Sequence, residues 1–314
     1  MARIIPSELV EPVVRVMLGS IDIGDGGTAE QRRVIRALTT GYWDRDDLDL
    51  DALTPAGPDE AATLIVDPRH RRRMRQFMVL LEMCRHPLEA AQVDRTEAYA
   101  AALGEDGPGL EAMRVLIRDG TAAASEYLMA RAQAMAEEEA EDAAFRELPI
   151  HIDAPDPDLV ARLRALGDLP AGTLGRAYFD FIDGNGFSFP GENPGFPATF
   201  LQHDMCHVLC DYDPHGMDEI AVNTMILGAA DTDQHWITLV SSLALREAGF
   251  LVPEGYEPIA PGTLDWDGSA EMFADALRRG AECTGDFAGA DLMALAAEPL
   301  AEVRARFGIQ PRRV

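Results

Sequence analysis

The chain contains no lysine: all 27 basic residues are arginine, and they face 54 acidic ones, for a formal net charge of −27 over 314 residues. An excess of that sign repels phosphate, which argues against nucleic-acid binding, since that needs a basic footprint. The ordinary consequence of such acidity is solubility, and the missing lysine reads as the codon bias of a GC-rich genome. Long apolar runs are also missing. The longest, residues 77–81 and 237–245, fall well short of the roughly 17–25 residues of a transmembrane helix. The opening Met1-Ala-Arg-Ile-Ile-Pro6 has no apolar stretch followed by a small-residue cleavage site, so no secretory signal is evident. Cysteine is scarce, and Cys84, Cys206, Cys210 and Cys283 contain no C-x-x-C pair. A reduced, cytoplasmic setting is expected, with any membrane contact peripheral.

What remains is the balance of a globular protein, 47% hydrophobic and 26% charged, long enough for one large domain or two ordinary ones. The division falls at residues 148–158, where three prolines in eleven residues exclude a continuous helix and read as a linker. Just before it, Glu137-Glu-Glu-Ala-Glu-Asp142 reads as the solvated end of a helix. Before the linker the pattern is helical. Val34, Ile35 and Leu38 recur at helical spacing, and Met74, Phe77, Met78, Leu81 and Cys84 form a stripe wide enough for a buried face. The helix carrying that stripe begins with Asp67 as N-cap and Pro68 at its first position. Further helices are expected from Leu88 to Leu103, stopped by Gly104, and after Gly107-Pro108. No alternating strand pattern of useful length appears in this half.

Residues 67–76, 81–87 and 93–99 give the first half a loose resemblance to TerB-like helical domains over roughly residues 28–135. That resemblance implies a compact helical bundle and no particular reaction. The cluster Arg69, Arg71, Arg72, Arg73 and Arg75 has two readings, an anion or partner site, or neutralisation of nearby carboxylates, and the second is preferred in so acidic a chain.

The chemistry-bearing stretch is Gln202-His-Asp-Met-Cys-His-Val-Leu-Cys-Asp-Tyr212. On a helix, Leu201, Met205, Val208 and Tyr212 share the side that meets the core. His203 and His207 lie one turn apart on another face, with Asp204 beside them. Two imidazoles at that spacing can reach one ion, and an adjacent carboxylate can join them or orient a ring. Eleven residues separate His207 from Glu219; the turn Asp213-Pro-His-Gly216 would return a second helix alongside and bring the Glu219 carboxylate across. Taken alone, a His-x-x-x-His pair often arises by chance. Cys206 and Cys210 share the helix but read as buried small hydrophobes, and His215 as a solvent-facing turn residue.

The ordered set His203-Asp204-x-x-His207, eleven residues, Glu219 matches the metal motif of the fourth coenzyme Q (ubiquinone) biosynthesis protein family, and the flanking sequence resembles that family over about residues 165–310. Leu169-Pro-Ala-Gly-Thr-Leu-Gly-Arg-Ala-Tyr-Phe-Asp-Phe181 resembles its Gly-Arg-Ala-Tyr helix. Asn185-Gly186 and Pro190 sit where its loop does. Gly216-Met-Asp-Glu-Ile-Ala-Val222 is similar to its Gly-Glu-Ile-Ala segment, and residues 298–309 to its closing Pro-Leu-x-x-x-Arg-x-x-x-Gly-Ile. The pattern departs at Asp211, where the family carries glycine, and the helical N-terminal half lies outside the family's usual architecture.

The resulting expectation is an all-α protein: an N-terminal segment 1–27, a TerB-like helical domain 28–147, a linker 148–158, and a metal-binding helical domain 159–314, the two domains folding separately. The expected ligands are His203, Asp204, His207 and Glu219, around a divalent ion, Zn first and Fe, Mn or Co also accepted. The resemblance implies a prenylated aromatic or isoprenoid lipid as partner, and removal of a ring carboxylate with hydroxylation at that carbon. The alternative is a metal-stabilised lipid-binding or scaffold protein that docks a protein partner through its N-terminal domain, and a homodimer is compatible with either. A metal hydrolase is a weaker reading, because no His-Glu-x-x-His is present. For lipid, the apolar set Met225, Ile226, Leu227, Ile237, Leu239, Val240, Leu243 and Leu245 is the candidate groove.

Overall fold

The computed structural model describes residues 5–140, 155–192, 199–251 and 261–314. Fourteen α-helices and no strand occur among them. In the first half α1 is Ser7–Ile21, α2 Ala29–Ala37, α3 Pro58–Leu64, α4 Pro68–Met83, α5 Ala90–Leu103, α6 Pro108–Asp119 and α7 Thr121–Ala140. In the second half α8 is Pro157–Arg164, α9 Leu174–Asn185, α10 Thr199–Cys210, α11 Gly216–Ala229, α12 Asp233–Arg246, α13 Ser269–Glu282 and α14 Leu300–Phe307.

Local signals account for most boundaries. Thr28 and Gln31 form a reciprocal capping box at the start of α2. Asp67 accepts from the Arg69 N–H with Pro68 at the first position of α4, as expected, and Met74, Phe77, Met78, Leu81 and Cys84 are all buried. Gly104 ends α5 in the left-handed region at φ 69°. Two boundaries differ from the sequence expectation. The segment 1–27 contains α1, whose Val10, Val13, Val14, Met17 and Ile21 are buried in the core; this is a helical stripe in its own right. Of the expected linker, residues 148–154 lie outside the described residues, as do residues 141 and 142 of the acidic run. Its last two residues already belong to α8, because Asp156 caps that helix through the Leu159 N–H and proline is well tolerated in a first turn.

The two halves share a contact surface. In α13, Ala274 faces Gly41 so closely that a Cβ on that glycine would lie 2.8 Å from the Ala274 methyl. On its other side α13 crosses α11 at Gly280 and Gly228, where a Cβ on Gly280 would fall 2.8 Å from the Gly228 Cα. Only glycine permits so close a crossing. Ion pairs span the same surface: Arg33 with Asp265 at 2.7 Å, Arg278 with Asp44 at 2.6 Å and Arg72 with Asp233 at 3.0 Å. Arg73, 2% exposed, reaches Asp231 at 3.4 Å. The arginine cluster of α4 is thereby largely spent on carboxylates and carbonyls, Arg69 on Asp67, Arg75 on Glu105 and Arg71 on the carbonyls of Ile65 and Leu103.

The buried apolar side chains of both halves form one cluster. Halves 1–147 and 155–314, co-expressed as separate chains, are therefore expected to co-elute on gel filtration, held by apolar area and the Arg73–Asp231 pair. Two independent, monodisperse peaks would show instead that each half folds without the other.

Candidate metal centre

The motif lies on α10, and several distant residues hold that helix in place. Its last carbonyls, which have no intrahelical partner, accept from arginines: Arg304 of α14 donates to Leu209 O and Val208 O, and Arg279 of α13 to Cys210 O. Asp211 then turns the chain in the left-handed region at φ 63°. That conformation favours glycine, and aspartate tolerates it better than most residues do. The Asp211 carboxylate is 71% exposed beside Arg304 at 3.7 Å, so its charge stands at the helix end. The Asp213 N–H donates to Asp218 at 2.8 Å, closing the turn, and α11 starts at Gly216. Glu219 sits in the first turn of α11, where the helix dipole favours an anion.

This arrangement brings three of the four expected ligands together. His203 Nε2 and His207 Nε2 are 3.1 Å apart, and Glu219 Oε2 lies 3.3 Å from the first and 3.6 Å from the second. His207 is 1% exposed, while His203 is 22% exposed and opens the site on one side. His207 Nδ1 lies 3.2 Å from the Tyr212 carbonyl. That contact assigns the proton to Nδ1 and leaves the Nε2 lone pair pointing into the triangle. Two such nitrogens facing each other need a proton or a cation between them. The three edges are close to the roughly 3.3–3.5 Å expected between ligands of one tetrahedral ion with metal–nitrogen bonds of about 2.0–2.1 Å. The residues present therefore fit a divalent cation. Asp204 does not take part in the triangle: its oxygens are not among the ligand atoms that lie within 4.8 Å of one another.

Electrostatics follow the same division. Burial alone would raise the Glu219 carboxyl, but hydrogen bonds from both histidines outweigh it and hold the group well below the usual carboxylate range. Burial opposes charge on His203, yet the hydrogen bond and charge of Glu219, with Asp204, raise its pKa. Burial lowers that of His207. Asp204 is pushed up to about 7 by burial, against the pull of His203.

Sequence reasoning missed two supports. Arg246, at the end of α12, reaches Glu219 Oε1 at 3.5 Å; only the packing of α12 on α11 creates this contact. Phe181 of α9 stacks on the His207 ring at 5.7 Å and 23°, then meets Phe187 edge-on at 6.3 Å, and Phe187 meets His215 at 6.3 Å. Phe187 is 38% exposed, so this row of rings leads from the site to the surface. Cys206 and Cys210 are buried and outside the ligand group, and burial pushes both thiols up, as suits small neutral core residues. His215 is exposed. His235 is buried, with Nδ1 2.8 Å from the Ala230 carbonyl. Of the apolar set proposed to line a groove, Met225, Ile226, Leu227, Ile237, Leu239, Val240 and Leu243 are buried as core, and Leu245 packs against it partly covered.

No family model matches the chain, and no curated protein matches it. Among solved structures, the chain is similar to one from Nostoc punctiforme PCC 73102 that is named for ubiquinone biosynthesis, at 16% identity and a TM-score of 0.37, covering 76% of this chain and 98% of that one. No helix of the described residues is long and apolar enough to cross a membrane.

Proposed function

We propose that His203, His207 and Glu219 hold one divalent cation, Zn²⁺ first among the candidates, and that the site acts on an aromatic acid bearing a prenyl tail. The observation that carries this is the triangle of two Nε2 atoms and one carboxylate oxygen with edges of 3.1, 3.3 and 3.6 Å, open on the His203 side. Three protein ligands and an accessible face are the pattern of a working site, since structural sites are closed by four. The cation would supply Lewis acidity toward a ring carboxylate or phenolate. Arg246 fixes the Glu219 carboxylate, and the Tyr212 carbonyl fixes the His207 ring. The Phe181–Phe187 row gives an aromatic and apolar approach to the site, which suits a prenylated ring. Asp204, adjacent to His203 and outside the ligand triangle, places a largely buried carboxyl at the site that can exchange a proton with substrate. The reaction in view is loss of the ring carboxylate as carbon dioxide with hydroxylation at that carbon. It is a two-electron oxidation in which an external co-substrate, dioxygen with a reductant or water with an electron acceptor, supplies the oxygen atom.

The test is Asp204→Asn. The variant is expected to keep the ion of the triad while losing about 10²–10⁴-fold in turnover of a prenylated hydroxybenzoate, the range general acid–base groups supply, measured by carbon dioxide release and product mass. Wild-type protein that is metal-loaded, binds the ligand saturably and releases no carbon dioxide would favour the alternative, a lipid-binding or scaffold protein.

A further inference from the structure

A second set of potential ligands lies where the two halves meet. Glu30 comes from the first turn of α2, His86 from the segment after α4, and Glu247 from the cap of α12, immediately after Arg246. One ligand atom from each falls within 4.8 Å of the others. His86 Nε2 is 3.0 Å from Glu247 Oε1 and 3.9 Å from Glu30 Oε2. The Glu247 side chain is fully buried, and its other oxygen accepts from the Leu264 N–H at 2.7 Å. Glu30 Oε1 is sealed from solvent with no hydrogen-bond partner.

The charge balance makes this arrangement unusual. A buried carboxylate, Glu247, and a largely covered one, Glu30, lie side by side, and His86 is the one cationic partner that either has among the described residues. The next carboxylate, Asp265, is paired with Arg33. Burial, followed by the contact between the two acids, raises the Glu30 carboxyl above its usual range, so without a cation the pair must share a proton. Leaving a buried charge uncompensated is costly.

We propose that Glu30, His86 and Glu247 form a second divalent-cation site, separate from the triad of α10 and α11, that clamps the N-terminal helices to the C-terminal ones. One imidazole and two carboxylates suit a first-row divalent ion such as Zn²⁺ or Mn²⁺. The 3.0 Å edge between His86 and Glu247 already fits a shared ion, and the 3.9 Å edge to Glu30 needs that side chain to swing inward by roughly half an ångström. An ion there would be held by Glu30 Oε2 and would offset the charge of a carboxylate whose Oε1 has no hydrogen-bond partner. His86, 26% exposed, leaves an entry path from solvent. Because Arg246 anchors Glu219 and Glu247 ligates across the junction, the end of α12 serves both sites.

The experiment uses the full chain, stripped with chelator and titrated calorimetrically with Zn²⁺ in excess Mg²⁺, which occupies exposed carboxylates. In the His203→Ala/His207→Ala background, one Zn²⁺ per chain is expected to remain and to raise the melting temperature. Adding His86→Ala or Glu30→Gln should weaken that ion at least tenfold and abolish the thermal shift. Should the double-histidine background fail to fold, Glu30→Gln in the otherwise unchanged chain should lower the stoichiometry from two to one, with circular dichroism confirming the fold. A folded background that takes up no Zn²⁺ would overturn the site and leave a shared proton between Glu30 and Glu247. So would Zn²⁺ binding that His86→Ala and Glu30→Gln leave unchanged.

Discussion

Alanine at His207 is expected to remove one bound ion per chain, the largest effect of any single change at the α10 site. The ring is 1% exposed, its Nδ1 is tied to the Tyr212 carbonyl and its face is stacked on Phe181, so no other nitrogen can take its place. His203→Ala should act alike. Arg246→Ala reaches the ion only through Glu219, and should cost the ~10–100-fold in affinity typical of residues that orient a ligand. Loss of either histidine should exceed that. Metal binding stabilises the fold by mass action, about 2.7 kcal/mol at one hundred times the dissociation constant, so part of the melting shift on metal addition should vanish with the ion. Cys206→Ala and Cys210→Ser should keep the full metal content by elemental analysis. If either empties the site as a histidine change does, the ligand assignment fails.

The second large effect concerns stability and not the site. Glu82 lies on α4 with its side chain fully buried, and the Thr96 hydroxyl beside it offsets only part of the cost of burying a carboxylate. Burial pushes its pKa up to about 8 from an ordinary 4.5. The folded pKa is raised, so the neutral acid contributes its full stability below about pH 4.5. Between that value and about 8 the unfolded chain ionises while the folded one does not, and stability falls by about 1.4 kcal/mol per pH unit. By pH 8 the loss should reach a few kcal/mol. Glu82→Gln removes this slope, and Glu82→Met, similar in size and without polar atoms, should be more stable than wild type at pH 8 by a comparable amount. Denaturant unfolding at pH 5, 6.5 and 8 reads the difference between wild type and variant, which cancels other titrating groups. Parallel curves for wild type and Glu82→Gln would show that Glu82 is ionised and solvated in the fold.

The legibility of the molecule varies with the range of the interaction. Asp67-Pro68, the Thr28/Gln31 box and Gly104 act within a turn, and the helices they bound appear as read. The stripe on α4 was likewise readable, since a helical period is a property of the chain itself. In α1 the same signal was present at Val10, Val13, Val14, Met17 and Ile21 but interrupted by Pro12, which masks a helix in any local reading. The apolar residues after Glu219 show the opposite failure. Their richness was visible, but whether Met225 or Leu243 faces a ligand or another helix depends on where α13 packs.

At the α10 site the sequence by itself determined the candidate side chains and the one-turn spacing of His203 and His207, the second of which follows from helix geometry. It also determined the all-α class, through its helical period and lack of strand pattern. Only the tertiary structure decided that Glu219 closes the triangle while Asp204 remains outside it, since that depends on how α11 returns over the turn at Asp211. The tertiary structure alone joined Arg246 to Glu219, and Glu30 and His86 to Glu247, across gaps of 27, 217 and 161 residues. No local propensity encodes contacts at such separations. They arise when whole helix faces bury their apolar area together and carry the charged side chains along with them.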